Sequence, residues 1–218
     1  MTEGADVSFV HLGITIEHLR NSISIGGFEI AFYGIIIGIG MLAGLYMAQK
    51  DARRRGQDPE LYLDFALYAI IFSIIGARLY YVIFDWELYR DNPIEIFNLR
   101  GGGLAIYGGI IGAVLTLIVF TKVRKVSFFS MADTGCIGLI TGQIIGRWGN
   151  FFNREAFGGY TNGLFAMRIL KEQASYLPQS ALNNLITVNG TEYIQVHPTF
   201  LYESSLNLCL LVFLLILR

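Results

Sequence analysis

The run Gly146-Arg147-Trp148-Gly149-Asn150-Phe151-Phe152-Asn153-Arg154-Glu155 brings the Arg147 guanidinium, two amides and a carboxylate together among small residues. A guanidinium presents planar, paired N–H donors that fit a phosphate bidentately, and neighbouring amides add uncharged donors. Glycines let backbone approach a ligand closely. In outline this is a phosphate-ester site, although an arginine at a helix end can also reach lipid headgroups without any further function. Tyr33, Arg78, Tyr107, His197, Tyr202 and Glu203 are the other polar side chains set in or against apolar runs. Each has a structural reading beside the functional one. Arg78 and Glu203 can neutralise each other, Tyr33 and Tyr107 can be interfacial aromatics, and His197 before Pro198 can serve a turn or cap. No second His or Cys stands at ligand spacing from His197, so no metal is expected. Gly38-Ile39-Gly40-Met41-Leu42-Ala43 imitates a dinucleotide fingerprint, but inside an apolar run with no preceding strand; no nicotinamide or other cofactor is expected.

The elements that must hold these residues are read from hydropathy. The chain has 218 residues, 54% hydrophobic and 15% charged, with a mean hydropathy of +0.52, which is too apolar for a water-soluble domain of that length. Its net charge of -1 offers no basic field for nucleic acid, and no nucleic-acid partner is expected. Crossing about 30 Å of hydrocarbon takes about 20 residues of helix. Five runs qualify, near 28–48, 61–84, 103–121, 128–148 and 199–218. Asp58-Pro59 is a cap and first-turn pair before the second. Lys50, Arg53, Arg54 and Arg55 follow the first span, and Lys122, Arg124 and Lys125 follow the third, which assigns both loops to the cytoplasm. The acidic loop with Asp85, Glu87, Asp91 and Glu95, the N-terminus and the stretch 149–198 then face outward. An ionisable residue at a helix centre costs about 2.5–3.5 kcal/mol on insertion scales. All the residues singled out above fall at the outer end of their spans, so one polar cluster at outer-leaflet depth is expected.

A single membrane domain over 1–218 is expected, with an external N-terminal segment at 1–27 and an external cap at 149–198. Within the cap, Ile186 to Val196 alternates around Asn189-Gly190, a hairpin signal. The letters Asn189-Gly190-Thr191 also match a glycosylation acceptor, which the turn explains without it. Residues 1–27 lack the basic start and unbroken apolar centre of a cleavable signal. Cys136 and Cys209 lie in apolar runs and are read as buried small hydrophobes without a disulfide. Glycines at four-residue spacing, Gly34/Gly38, Gly40/Gly44, Gly108/Gly112 and Gly138/Gly142/Gly146, are read as helix-packing positions.

The run GRWGNFFNREAFGG from Gly146 to Gly159 resembles the signature of the prolipoprotein diacylglyceryl transferases. FYGIIIG from Phe32, GARLYYVIF from Gly76, GGGLAIYGGIIG from Gly101 and HPTFLYE from His197 are similar to further motifs of that family, in its order and spacing. The resemblance implies an all-α polytopic membrane enzyme of the bacterial plasma (inner) membrane. Such an enzyme transfers the diacylglyceryl group of phosphatidylglycerol to the lipobox cysteine of a prolipoprotein signal peptide, releasing glycerol 1-phosphate at the outer leaflet. It further implies that Arg147 and Asn150 bind phospholipid and are needed for activity, that Glu155 and Gly158 continue the signature, and that Tyr33 is essential. Many members carry a histidine, considered as a general base, where this chain has Tyr107; a tyrosine with a reference pKa of about 10 is a poor base near neutrality. The family has seven spans, so the chain is read as lacking the last two, together with a further arginine and glutamate. On this reading Arg147, Glu155, Tyr107 and Tyr33 are the catalytic candidates. Arg147, Asn150, Asn153, Gly158, Arg78, His197, Tyr202 and Glu203 would hold phosphatidylglycerol.

A transporter or channel subunit is the competing reading. It needs polar residues continuing into the cytoplasmic half, where mainly Asp64 and Asp133 stand, each near a helix start where a carboxylate is favourable anyway. A magnesium-dependent phosphotransferase would need clustered aspartates, which the spans do not carry.

Overall fold

The computed structural model describes residues 6–218. Five helices are long and apolar enough to cross a membrane: α1 (Phe32–Arg54), α2 (Glu60–Phe84), α3 (Ile106–Arg124), α4 (Phe128–Phe152) and α6 (Thr199–Ile216); α5 (Gln179–Leu182) is a single turn. Only 11% to 28% of each span's apolar window is buried within the protein. A soluble chain would not leave that much apolar helix surface bare, so these faces are made for lipid. The protein is a polytopic membrane protein with a small antiparallel sheet.

The expected spans are present, with one shift in register. Residues 28–31, assigned from hydropathy to the first span, form a strand, and α1 continues instead through the basic residues to Arg54. The reason is the Gly26-Gly27 turn: both residues have positive φ, 59° and 87°, the geometry that closes a two-residue hairpin. It pairs β3 (Ser22–Ile25) with β4 (Phe28–Ala31). Of the N-terminal segment expected at 1–27, residues 1–5, Glu3 among them, lie outside the described residues.

The chain divides into two compact units, one made of the residues up to Gly44 with Leu139–Arg218, the other of Leu45–Gly138. In the first, a five-stranded antiparallel sheet has the order β2 (Ile14–Ile16), β1 (Val7–Phe9), β5 (Met167–Leu170), β7 (Thr191–Val196), β6 (Ile186–Val188). Register makes its core. Val7, Ile169 and Ile194 lie side by side, as do Phe9, Met167 and Val196, and all six are buried. Phe151, Phe157 and Phe200 pack on them. Burying such a side chain is worth about 1.5–3 kcal/mol. Between these rows run Ser8, Arg168 and Gln195, where Arg168 Nε donates to Gln195 Oε1 at 3.0 Å. The hairpin read at Asn189-Gly190 is β6–β7, and both turn residues have positive φ.

In the second unit, α2 and α3 meet through glycines. A Cβ on Gly108 would overlap the Gly76 carbonyl oxygen, and one on Gly112 the Phe72 carbonyl oxygen. The packing role read for this pair is therefore observed. In the first unit Gly40 faces the Gly142 carbonyl, where a Cβ would stand 3.1 Å away, whereas Gly34 and Gly38 have no neighbour within 4 Å of a Cβ. Two basic residues of the second unit are paired: Arg55 bridges Asp51 at 3.4 Å and Asp133 at 2.5 Å, and Arg124 pairs with Asp64. Asp64 and Asp133, read from sequence as helix-start charges, are thus also ion-pair partners. Cys136 and Cys209, read as buried, are instead exposed on the helix surfaces. An apolar run in a membrane span faces lipid as readily as protein, so hydropathy does not separate the two.

Candidate active site

Helix α4 places Arg147 and Asn150 three residues apart, on one face of its last two turns. Asn153 follows directly after the helix ends at Phe152, and the chain then turns sharply, with Arg154 and Ala156 at φ 51° and 50°. Non-glycine residues rarely take that conformation. It brings Glu155 back over the helix end, where its N–H donates to the Asn150 carbonyl at 3.0 Å. The Glu155 carboxylate accepts from Asn150 Nδ2 at 2.9 Å and Asn153 Nδ2 at 3.3 Å.

Arg147 extends this network to α6. Its Nη2 pairs with Glu203, and its Nη1 lies 3.5 Å from Asn150 Oδ1. The result is a chain of alternating donors and acceptors, Glu203–Arg147–Asn150–Glu155–Asn153. Both members of the ion pair keep substantial exposure, 38% and 43% of the side chain. An accessible guanidinium with a flexible counter-ion can exchange that partner for a phosphate oxygen. Tyr33, second residue of α1, closes one side: its ring lies where a Cβ on Gly149 would stand, 2.9 Å from Cδ2. Gly149 thus admits the tyrosine beside Arg147.

The tail of the signature is sewn to the segment that enters α6. Gly158 N–H donates to the His197 carbonyl at 2.9 Å, and His197 N–H to the Gly159 carbonyl at 3.1 Å. A Cβ on Gly158 would come within 2.9 Å of the His197 Cβ, so the glycine is required by close approach. His197 Nδ1 lies 3.4 Å from the Tyr202 hydroxyl, and the Thr199 hydroxyl donates to the Ala156 carbonyl. These backbone bonds pair His197 with the tail of the signature. Phe157 stacks on Tyr176 at 4.5 Å, and the Tyr176 hydroxyl donates to the Phe157 carbonyl. Burial pushes that phenol above its ordinary value.

Arg147, Asn150, Asn153, Glu155, Gly158, His197, Tyr202, Glu203 and Tyr33 all belong to the first unit. Arg78 and Tyr107 belong to the second. Arg78, only 6% exposed, donates Nε to Ile96, Nη1 to Gly102 and Gly103, and Nη2 to Glu95 and Asn98, every acceptor a backbone carbonyl between 2.6 and 3.1 Å. Its guanidinium also lies over the Tyr89 ring at 5.0 Å. Tyr107, at the start of α3, is 71% exposed and tilted against Tyr80. Within the first unit Glu203 pairs with Arg147, and within the second Arg78 is engaged by backbone carbonyls.

Two residues that sequence reasoning missed support the site. Ser204 Oγ donates to the Ile144 carbonyl at 2.9 Å and accepts from Trp148 Nε1 at 3.2 Å, tying α6 to α4 beside Arg147. Arg154, buried, donates to Asp6 at 3.3 Å and to the Leu19 carbonyl, anchoring the turn that carries Glu155. A polar residue beside Glu203 on an apolar helix was a signal for Ser204; nothing local pointed to the Asp6 partner. Among the described residues no group of three or more His, Cys, Asp or Glu could hold a metal.

Residues 20–218 match the family model described as prolipoprotein diacylglyceryl transferase. The chain is similar to curated proteins named phosphatidylglycerol–prolipoprotein diacylglyceryl transferase. The relative from Bacillus cytotoxicus is 44% identical over 95% of this chain and 73% of its own length, and that from Bacillus cereus strain Q1 is 45% identical over the same shares. The relative from Halalkalibacterium halodurans is 44% identical over 91% of this chain and 65% of its own.

Proposed function

This chain belongs to the prolipoprotein diacylglyceryl transferase family, a family of membrane transferases in lipoprotein biosynthesis, and from that premise we propose that it moves the diacylglyceryl group of phosphatidylglycerol onto the lipobox cysteine of a prolipoprotein signal peptide. The reaction takes place at the outer leaflet of the bacterial plasma membrane, with the N-terminus outside, as the distribution of Lys and Arg between loops favours. The cysteine thiolate attacks the glycerol carbon that carries the phosphate. A C–S bond forms, the C–O bond to phosphate breaks, and the oxygen keeps the electron pair as glycerol 1-phosphate departs.

The observation that carries this reading is the accessible Arg147–Glu203 pair joined to Asn150 and Glu155 at one helix end. In our reading phosphate displaces Glu203 from Arg147, and the guanidinium meets the charge that develops on the leaving oxygen. Asn150 and Asn153 keep Glu155 oriented, and Glu155 receives or relays the thiol proton. Tyr33, His197, Tyr202 and Gly158 shape the wall beside the headgroup. The contributions implied for Tyr107 and Arg78 rest on the family resemblance.

The test is transfer of labelled diacylglyceryl from phosphatidylglycerol to a lipobox-cysteine peptide by the purified chain in liposomes. Label on the peptide, lost when its cysteine is replaced by serine, is the expected result. Folded protein that leaves the peptide unlabelled, also when the two further spans of the family are joined to it, would overturn the proposal.

A further inference from the structure

A polar cleft of about 490 Å³ opens beside Arg154, and none of its lining residues belongs to the Arg147–Glu203 network. Its polar lining is Arg20, Asn21 and Ser22 with His18 from one stretch of chain, and Asp6, Arg154 and Gln173 from elsewhere. Arg154 is 8% exposed. Among the described residues its hydrogen bonds are all made by Nη2, to Asp6 and to the Leu19 carbonyl, while Nε is buried without an acceptor. A guanidinium carries five N–H donors, and burying it with so few engaged is costly. The charges do not balance either. Among the described residues two arginines face one carboxylate, and Asp6 is already shared between Arg154 and Gln173 Nε2, the latter at 3.0 Å. Leu19 is the one apolar residue in the lining, so the space does not suit an acyl chain.

Nε faces the protein interior, so what a small, oxygen-rich anion in the cleft answers is the surplus positive charge of Arg20 and Arg154, and the volume lies in the range of small-molecule sites. We propose that this cleft binds a phosphate ester of about the size of a glycerol phosphate, either as a lipid headgroup or as the free ester. Arg20 and Arg154 supply charge, and Asn21 and Ser22 supply neutral donors. Only the supply of free ester rests on the transferase reading, whose leaving group is such a molecule. Arg154 stands between Asn153 and Glu155 on the strained turn, so an occupied cleft stiffens the backbone that orients Glu155. Occupancy and turnover are therefore coupled through one residue.

The experiment is a phosphorus NMR titration of inorganic phosphate and glycerol 1-phosphate into the detergent-solubilised chain, without phosphatidylglycerol or peptide, so that no turnover is needed. Arg20→Ala should weaken binding at least tenfold and Arg147→Ala less than twofold. Arg20 is exposed, so this variant keeps the test alive even where Arg154→Gln disturbs the fold. Binding that survives Arg20→Ala and vanishes in Arg147→Ala would overturn the proposal, because the anion would then sit at the candidate active site. In phosphatidylcholine nanodiscs, competition by added phosphatidylglycerol identifies the headgroup as the source, and its absence identifies the free ester; either result keeps the cleft. A chain that binds phosphate through Arg20 yet transfers no label retains this site and loses the transferase reading. One that transfers label without such binding loses only the cleft.

Discussion

Arg147 and Arg78 both lie at polar depths of apolar helices, and they are held in opposite ways. Among the described residues Arg147 meets side chains, a carboxylate on another helix and an amide one turn on, and it keeps over a third of its side-chain surface accessible. Arg78 is buried against carbonyls of the loop between α2 and α3. Side-chain partners can rotate away and return, so the first arginine can change partners without moving backbone. Carbonyls of a folded loop cannot turn aside without unfolding it. The first arrangement suits recognition and the second suits architecture, and residue type alone does not separate them.

The contrast can be broken at several places. Arg78→Ala orphans a cluster of carbonyls, each costing about 1–3 kcal/mol when left unpaired in a dry site. After rehydration of some, a loss of at least about 3 kcal/mol is expected, seen as a lower denaturation midpoint in detergent, and Arg78→Lys should recover little of it. A midpoint unchanged in Arg78→Ala would make it an ordinary lipid-facing arginine. Arg147→Ala should instead cost about 10²–10³-fold in transfer rate, as for loss of one donor to a developing oxyanion, while stability shifts by less than about 1 kcal/mol. Arg147→Lys, lacking the planar fork, should stay nearly as slow; wild-type transfer in both variants would remove the phosphate-clamp role.

Gly103→Ala sharpens the comparison from the backbone side. Gly103 has φ 74°, and a Cβ there would collide with Arg78 Nη1. A destabilisation of about 1–3 kcal/mol is expected, together with faster proteolysis of the loop at 95–103. The smallest effect is expected of Tyr107→Phe, which keeps the exposed ring and removes only the hydroxyl. Transfer within a few-fold of the parent is the expected outcome, and a hundredfold loss would make that hydroxyl a participant in proton transfer.

Hydropathy disclosed the spans because a bilayer demands about 20 apolar residues in a row. Arg147, Asn150, Asn153 and Glu155 were legible for a similar reason: they are local, on one helix end and the turn after it. Glu203 was legible as a polar residue but not as the partner of Arg147, which lies far off in sequence. Arg78 misleads more, since its acceptors are main-chain carbonyls that no side-chain pattern encodes. Most of the sheet escaped too. β1, β2 and β5 have three or four residues each, too short for alternation to register, and β5 pairs with a strand from the other end of the sequence. Only β6–β7 announced itself, through its turn. Gly26-Gly27 carried the same signal for β3–β4, obscured by the apolar run that follows.

That long-range pairing has a consequence for biosynthesis. Strand β1 is translated before α1, yet its partner β5 follows four membrane helices, and β5 needs β7 beyond it to complete the buried rows. Closing so large a loop waits on the intervening chain. The β1–β2 hairpin can form early, but its outer edge must therefore wait without β5 while α1 to α4 insert, and the buried rows close only once β5 and β7 have followed, fastening one stretch of the chain to another made much later.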